Sequence, residues 1–241
     1  MVWRKELAPQ QWLVAAVAQV FQDAIFFKKT TERVVALTID DGPNPDESDA
    51  CSVPMILDAI AQHNRQLEVS EARVRATFFI LTSHLGKNTT LIKQMLQQGH
   101  EIGNHGVVDE SHASLTPKEF EQQLRQAHER LSQCSNQRIR WYRPGHGLYN
   151  REMLNILRRM DGYEPRFALA SMIPLDTRQP TNSPRFTACY ASQFVFPGSI
   201  LVLHDGTLLR AQQTQAALKV ILAHIRQRGY RVVTLSELWD L

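Results

Sequence analysis

Residues 34–43 read Val-Val-Ala-Leu-Thr-Ile-Asp-Asp-Gly-Pro, an apolar run that ends in two adjacent carboxylates and a turn pair. The apolar run predicts a buried strand, and Gly42-Pro43 predicts the turn that ends it. Carboxylates are rarely buried without compensation, and ligands of α/β domains usually bind at the ends of strands. Because successive side chains of a strand point to opposite sides, Asp40 and Asp41 need a turn of the backbone between them to act together.

Three later segments of the chain also place a polar residue directly after an apolar strand. His105 follows the strand predicted at residues 100–104, Arg143 follows 138–142, and His204 ends 199–204. The carboxyl ends of parallel strands meet at one side of an α/β domain. We therefore expect these side chains to converge with Asp40 and Asp41 on one site.

In the rest of the chain, segments patterned as strands alternate with segments that have the apolar spacing of helices. This alternation predicts parallel βαβ units and an α/β fold. Further strands are predicted at residues 75–81, 166–171 and 231–234. Helices are predicted at residues 52–63, 89–98, 117–133, 150–160 and 210–228. Residues 172–198, which contain four prolines, are predicted to be a long irregular connection.

Length and composition indicate one main domain. A chain of 241 residues with 43% hydrophobic residues can bury a substantial core. We expect a catalytic domain at residues 31–241, preceded by an N-terminal helical extension at 1–30 that packs on it as an amphipathic helix. The apolar part of this extension is interrupted by Gln19, Gln22 and Asp23 and is too polar to span a bilayer.

Charge and cysteine content narrow the function and the compartment. The net charge of +3 is mild and the basic residues are dispersed, which argues against a nucleic-acid partner. The three cysteines show no paired spacing, which fits a reducing compartment. A cytoplasmic location is slightly favoured, and export stays open because Arg4 and Lys5 precede a short apolar stretch. The sequence does not indicate an oligomeric state.

Thr-Ile-Asp-Asp-Gly-Pro at residues 38–43, together with Leu-Val-Leu-His-Asp at 201–205, resembles the polysaccharide deacetylase (NodB-homology) family of metal-dependent carbohydrate esterases. The resemblance covers residues 34–235. It implies a distorted (β/α) barrel of about seven strands and a carbohydrate substrate. The implied reaction removes N-acetyl groups from a chitin-like or peptidoglycan-like amino-sugar oligo- or polysaccharide.

The resemblance also implies a role for each matching residue. Asp40 would be the general base, Arg143 would hold Asp40, and His204 would be the general acid. Asp41 and His105 would be ligands of a divalent metal ion. Zinc is the first expectation for this ion, with manganese, cobalt and magnesium as alternatives.

The resemblance implies substrate contacts as well. The backbone around Gly145 would donate hydrogen bonds to the oxyanion, and Leu203 would line the pocket for the acyl methyl group. His146 stands where the family often has an aromatic residue that contacts the substrate.

The sequence departs from the family pattern at the third metal ligand. The family's second histidine falls four residues after His105, where this chain has Asp109. The register favours Asp109 as the ligand, and His112, three residues further on, stays the alternative. Carboxylate oxygens shift metal preference toward manganese or magnesium, although zinc also accepts them.

The fourth family segment has no clean counterpart in residues 168–177. Asp176 is the only acid there and is the candidate to orient and charge His204, but no tryptophan is present to wall the acyl pocket. Two alternatives to a sugar deacetylase therefore stay open. One is an amidohydrolase for a small N-acyl compound, and the other is a non-catalytic carbohydrate-binding relative.

Overall fold

A computed structural model of the chain describes residues 9–44, 52–86 and 89–241. Strands and helices alternate along most of these residues, which confirms the predicted α/β class. The strands are β1 (Ala24–Ile25), β2 (Val34–Gly42), β3 (Ala76–Ile80), β4 (Glu101–Asn104), β5 (Phe167–Ala168), β6 (Ser199–His204) and β7 (Arg231–Val233). The helices are α1 (Pro9–Val20), α2 (Ser52–Arg65), α3 (Thr90–Gln97), α4 (Pro117–Cys134), α5 (Arg151–Arg159), α6 (Pro184–Phe194), α7 (Leu208–Gln227) and α8 (Leu235–Trp239).

The main sheet of the described residues is parallel and has β2 at its centre. Strand β6 pairs along one edge of β2, while β7 and then β3 pair along the other edge, and β4 extends the sheet beyond β3. All nine residues of β2 are buried, as expected for a central strand covered on both faces. Because the pairing is parallel, the residues that end β2, β4 and β6 lie at the same side of the sheet.

The described strands do not by their pairing alone complete a closed barrel. Strands β1 and β5 form a separate two-stranded parallel sheet. Backbone hydrogen bonds from Ala168 N to Tyr142 O and from Met172 N to Ile200 O connect its surroundings to the main sheet. The seven strands therefore surround a common core. The pairing is irregular in the part of the fold that connects β4 to β6.

Two strand predictions and one loop prediction are wrong in part. Residues 138–142 form no strand, because Tyr142 makes only a single parallel bridge to Asn104. The strand predicted at 166–171 shortens to β5, because the ladder with β1 includes only Phe167 and Ala168. The connection at 172–198 contains α6, since Ser183 caps this helix and Pro184 occupies its first turn, where proline is well tolerated.

The N-terminal extension contains a helix, as predicted, and also the unpredicted strand β1. Strand β1 pairs with β5, so the proposed extension (1–30) and the proposed catalytic domain (31–241) share hydrogen bonds. Helix α1 does not match the amphipathic expectation, because Trp12, Leu13 and Val20 are exposed. Within the described residues, no helix combines the length and apolar character that a membrane span requires.

Helices cover the sheet and hold the strand ends in place. Helices α2 and α7 pack against each other, and α6 packs on α7. The largest buried side chains of the core include Trp141, Tyr142, Phe78 and Phe79. This rigid core fixes the positions of the polar residues at the strand ends.

Candidate active site

The two adjacent acids of β2 both reach one cavity because the backbone turns between them. Asp41 has a positive φ of 68°, and the pairing of β2 with β3 shifts register between Ile39 and Gly42. Asp40 lies directly opposite His204 in the pairing of β2 with β6. The left-handed backbone at Asp41 cancels the usual alternation of side chains, as the sequence required.

Arg143 holds Asp40 through a short, buried ion pair. Its Nη1 donates to Oδ1 of Asp40 at 2.6 Å and to Oγ1 of Thr38 at 2.8 Å. Its Nε and Nη2 donate to the carbonyl oxygens of Ala168 and Leu169, and its guanidinium lies over the ring of Phe79. Each nitrogen of the guanidinium thus donates at least one hydrogen bond, and the other carboxylate oxygen of Asp40, Oδ2, lies 3.8 Å from Nε2 of His105.

His105 and Asp41 form the second buried pair. His105 Nε2 lies 3.4 Å from Oδ1 of Asp41 and 3.8 Å from Oδ2 of Asp40. Burial alone would lower the pKa of His105, but the charges of Asp40 and Asp41 outweigh it and raise the pKa to about 8. Burial would raise the pKa of Asp41, but hydrogen bonding and charge from His105 lower it to about 2.

The Asp41 and His105 pair fits two ligands of one divalent ion. Zinc ligand distances of roughly 2.0–2.2 Å place two tetrahedral ligands about 3.4 Å apart, which matches the observed 3.4 Å between Nε2 and Oδ1. Nδ1 of His105 also contacts the carbonyl oxygen of Arg143 at 2.8 Å, which orients Nε2 toward Asp41. No group of three or more His, Cys, Asp or Glu side chains suited to a metal ion occurs among the described residues.

The two candidates for the third ligand differ in their surroundings. The Asp109 side chain is 52% exposed, lines the cavity and lies with Oδ1 3.4 Å from Nε2 of His146. His112 is buried, and its Nδ1 receives hydrogen bonds from Tyr142 Oη at 2.7 Å and Gly145 N at 2.8 Å. With Nδ1 accepting, a neutral ring carries its proton on Nε2, which is buried and has no hydrogen-bond partner among the described residues.

The surroundings also affect the charge of His112. Burial lowers its pKa to about 4. The ring is therefore neutral at pH 7 and acts in this structure as a buried link between Tyr142 and the segment that begins at Gly145.

His204 ends β6 and is held by Asp176. Its Nδ1 donates to Oδ1 of Asp176 at 2.7 Å, and its backbone N donates to Oδ2 at 3.0 Å. Burial would lower the pKa of His204, but Asp176, with help from Asp40 and Asp41, raises it. The raised pKa favours the protonated ring, which is the form that a general acid requires.

Of the residues expected to contact the substrate, some line the cavity and others are buried in the core. His146 lines the cavity and has a positive φ of 57°. Leu203 is fully buried in the core, whereas Val202, two residues before His204 on the same face of β6, lines the cavity. The N–H groups of Gly145 and Gly147 donate to His112 Nδ1 and to Pro144 O, respectively.

The sequence reasoning missed Arg210. Its Nη1 donates to Oδ2 of Asp41 at 3.1 Å and to the carbonyl oxygen of Asp205 at 3.3 Å. Arg210 lies in the first turn of α7, where Thr207 caps the helix. One feature of the sequence could have identified Arg210 as a site residue. It lies six residues after His204, in the turn that follows the last family segment.

Asp205, which directly follows β6, is not among the described residues that line the cavity. It is fully buried and accepts a hydrogen bond from Ser52 Oγ at 3.2 Å. Burial raises its pKa to about 7. It is therefore a packing and hydrogen-bonding residue beneath the site.

The site residues share a cavity of about 660 Å³. Its lining contains both polar and apolar residues. The polar lining comprises Asp40, Asp41, His105, Asp109, Arg143, His146, Thr177, Arg178, His204 and Arg210. The apolar lining includes Phe26, Leu169, Ala170, Ile173, Leu175 and Val202.

Comparison with known proteins agrees with the sequence motifs. The family model described as polysaccharide deacetylase matches residues 27–164. A peptidoglycan-N-acetylglucosamine deacetylase of Bacillus cereus is 28% identical over 238 residues, which cover 99% of this chain and 98% of that protein. A chitooligosaccharide deacetylase of Rhizobium leguminosarum bv. trifolii is 30% identical over 222 residues, covering 86% and 92% of the two chains.

Solved structures share the fold. The Bc1960 peptidoglycan N-acetylglucosamine deacetylase, in complex with 4-naphthalen-1-yl-N-oxidanyl-benzamide, superposes with a TM-score of 0.75 at 26% identity, covering 96% and 97% of the two chains. A pseudoenzyme of the CE4 family from Bacillus anthracis superposes with a TM-score of 0.74 at 22% identity, covering 90% of this chain and 69% of that one. These likenesses confirm the resemblance drawn from the motifs.

Proposed function

Because the chain belongs to the polysaccharide deacetylase family, we propose that it is a metal-dependent hydrolase that removes N-acetyl groups from an amino-sugar oligo- or polysaccharide. The named deacetylase relatives support a chitin-like or peptidoglycan-like substrate. One structural observation carries the proposal. Asp40 and His204 lie on neighbouring strands of one cavity, each held by its own charged partner, Arg143 and Asp176.

Amide hydrolysis needs a base for the attacking water and an acid for the departing nitrogen. Asp40, fixed by Arg143, accepts the proton of the water as its oxygen attacks the acyl carbon. His204, kept protonated by Asp176, donates a proton to the amide nitrogen as the C–N bond breaks. The products are acetate and the free amino sugar.

A divalent ion, when bound, would polarise the acyl carbonyl and lower the pKa of the attacking water. Asp41 and His105 would hold it, with Asp109 proposed as the third ligand, and zinc is the proposed metal. Asp41 is ionised at neutral pH because its pKa is about 2, as a ligand must be. His105 needs to lose a proton to bind metal, since Asp40 and Asp41 raise its pKa to about 8.

A non-catalytic carbohydrate-binding relative is the second candidate. The observation that favours it is the exposed position of Asp109, whose carboxylate contacts His146. A chain without a third ligand would bind the metal weakly and could keep the groove while losing turnover.

The test measures acetate release from chitopentaose and from peptidoglycan fragments by the zinc-loaded enzyme. We expect release that a chelator abolishes, that zinc restores, and that Asp40→Asn reduces by at least a hundredfold. Saturable binding of the oligosaccharides without acetate release at any divalent metal would favour the non-catalytic relative. Acetate release from small N-acetyl amides and not from sugars would overturn the choice of substrate.

A further inference from the structure

Beyond Leu203, which the family resemblance places at the pocket for the acyl methyl group, the cavity lining contains a set of apolar residues that the proposed reaction does not use. It consists of Leu169, Ala170, Ile173, Leu175 and Val202, together with Phe26. Ala170 and Val202 are buried, whereas Ile173 and Leu175 are 47% and 51% exposed. The apolar surface thus continues from the floor of the cavity to its mouth.

This apolar wall adjoins the reacting groups. Val202 precedes His204 by two residues on β6 and so lies on the same face of the strand. The carbonyl oxygen of Leu169 accepts a hydrogen bond from Arg143, which holds Asp40. Leu175 directly precedes Asp176, the partner of His204.

Leu175 is held in place by its backbone. It has a positive φ of 56°, which is costly for a leucine. Its carbonyl oxygen accepts hydrogen bonds from Thr181 Oγ1 at 2.7 Å and from Arg178 N at 3.2 Å. A strained backbone fixed by two hydrogen bonds, with an apolar side chain exposed at a site, suggests that the exposure serves binding.

The chemistry of the wall discriminates between the two parts of an N-acyl sugar. Sugar hydroxyl groups buried against aliphatic side chains would lose their hydrogen bonds to water without replacement. The polar residues of the lining, among them Asp109, His146, Arg178 and Arg210, offer such partners. An alkyl chain, in contrast, gains from contact with the aliphatic wall.

We propose that the wall formed by Leu169, Ile173, Leu175 and Val202 binds the acyl group, and that the enzyme prefers N-acyl amino sugars with an acyl chain longer than acetyl. This inference rests on the proposed function. The reaction is the same hydrolysis: the amide C–N bond breaks, water supplies the new C–O bond, and a fatty acid and an amine leave. Each added methylene that contacts the wall increases kcat/KM by about fourfold.

The test compares chitotetraose derivatives that carry N-acetyl, N-butyryl or N-hexanoyl groups, with the zinc-loaded enzyme and release of free amine as the readout. We expect kcat/KM for the butyryl derivative to exceed that for the acetyl derivative by about fifteenfold. In the double variant Ile173→Ala/Leu175→Ala, this preference should fall to about twofold, because truncation of the wall costs the butyryl derivative more than the acetyl derivative. Leu13→Ala, which truncates an exposed leucine on α1, is the matched control and should keep the preference.

The outcomes separate this inference from the proposed function. Turnover of the acetyl derivative without a gain for longer chains would overturn the inference and leave the deacetylase intact. An equal loss on all three derivatives in the double variant would show that the wall contacts the sugar, which also overturns it. Failure to release amine from any derivative would overturn the proposed function and this inference with it.

Discussion

Asp176 binds His204 through both of its carboxylate oxygens, one on the ring Nδ1 at 2.7 Å and one on the backbone N at 3.0 Å. The first contact stabilises the imidazolium form and the second fixes the backbone from which the ring projects. Since Asp176 is buried, its negative charge acts on the ring with little screening by solvent. The pair thus favours the protonated form of His204, the form that the proposed reaction needs.

Asp176→Asn should impair the general acid and change the pH profile. A general acid is active in its protonated form, so turnover is lost as pH rises through its pKa. Asp176 raises the pKa of His204; without that charge the pKa falls, and the alkaline limb of kcat/KM should move to lower pH. We expect kcat at pH 7.5 to fall by about 10²-fold.

The measurement is acetate release between pH 5 and 10, with bound zinc determined in the same samples. His204→Ala is the matched variant, which should lose a similar factor with its zinc content unchanged. An Asp176→Asn profile that keeps its alkaline limb would mean that His204 is not the group titrated there.

The two candidates for the third ligand should respond in opposite ways to truncation. Asp109→Ala should weaken zinc binding by at least tenfold, because it removes a carboxylate that lines the same cavity as Asp41. His112→Ala should keep zinc affinity within a few-fold, since its Nδ1 is occupied by Tyr142 and Gly145. Zinc content after dialysis against a graded zinc buffer measures both.

Because His112 is buried and Asp109 is exposed, the two substitutions differ in their effect on stability. The free energy of unfolding of each variant is therefore measured alongside its zinc content. His112→Ala is expected to lower the free energy of unfolding by about 2 kcal/mol or more, through the cavity and the lost hydrogen bonds. Loss of zinc in a folded His112→Ala variant, with zinc retained in Asp109→Ala, would reverse the ligand assignment.

The sequence predicted the parts of the site that local patterns encode. Val34 to Ile39 and Ser199 to Leu203 are apolar runs buried in adjacent strands, so the polar residues that end them meet. The roles implied by the family resemblance fall on residues that the structure brings together, among them Asp40, Arg143 and His204. For these residues, the local hydrophobic pattern predicts the tertiary arrangement correctly.

The sequence could not predict contacts that depend on distant partners. Arg210 reaches Asp41 across 169 positions of sequence, and no periodicity marks such a pair. Residues 138–142 have the composition of a strand, but Tyr142 finds only Asn104 as a bridge partner, so no ladder forms. Leu203 matches the family position, whereas the alternation of β6 turns Val202 to the cavity.

His100 should make the fold sensitive to acid. The ring is buried against Phe78, and Nδ1 accepts a hydrogen bond from Ala76 N at 3.1 Å. Burial lowers its pKa from 6.5 to about 4. Because the unfolded chain takes up the proton first, stability falls as pH falls from about 6.5 to 4, by up to about 3 kcal/mol from this group.

His100→Gln keeps an acceptor for Ala76 N and removes the titration. Urea unfolding at pH 7 and pH 4.5 should show a smaller loss of stability in this variant than in the parent chain. His63→Gln, at a half-buried histidine of α2, is the control and should leave most of the difference in place. Equal losses for the parent and His100→Gln would place the acid sensitivity elsewhere, with the buried His112 as the next group to test.

Arg210 should weaken metal binding at Asp41. Its guanidinium donates to Oδ2 of the carboxylate whose Oδ1 faces His105. A fixed positive charge at this distance repels a divalent cation and withdraws electron density from the ligand. Arg210→Gln retains a hydrogen-bond donor without the charge, so we expect its zinc Kd to be about tenfold lower than that of the parent protein, with a smaller difference at high salt.

Competition between the apo protein and a zinc-chelating dye measures this affinity independently of turnover. Arg178→Gln is the matched control, because Arg178 lines the same cavity and is not among the described hydrogen-bond partners of Asp41. Its zinc affinity should change by less than threefold. Weaker binding in Arg210→Gln would mean that the guanidinium orients Asp41 for the metal, since loss of orientation would then outweigh relief of repulsion.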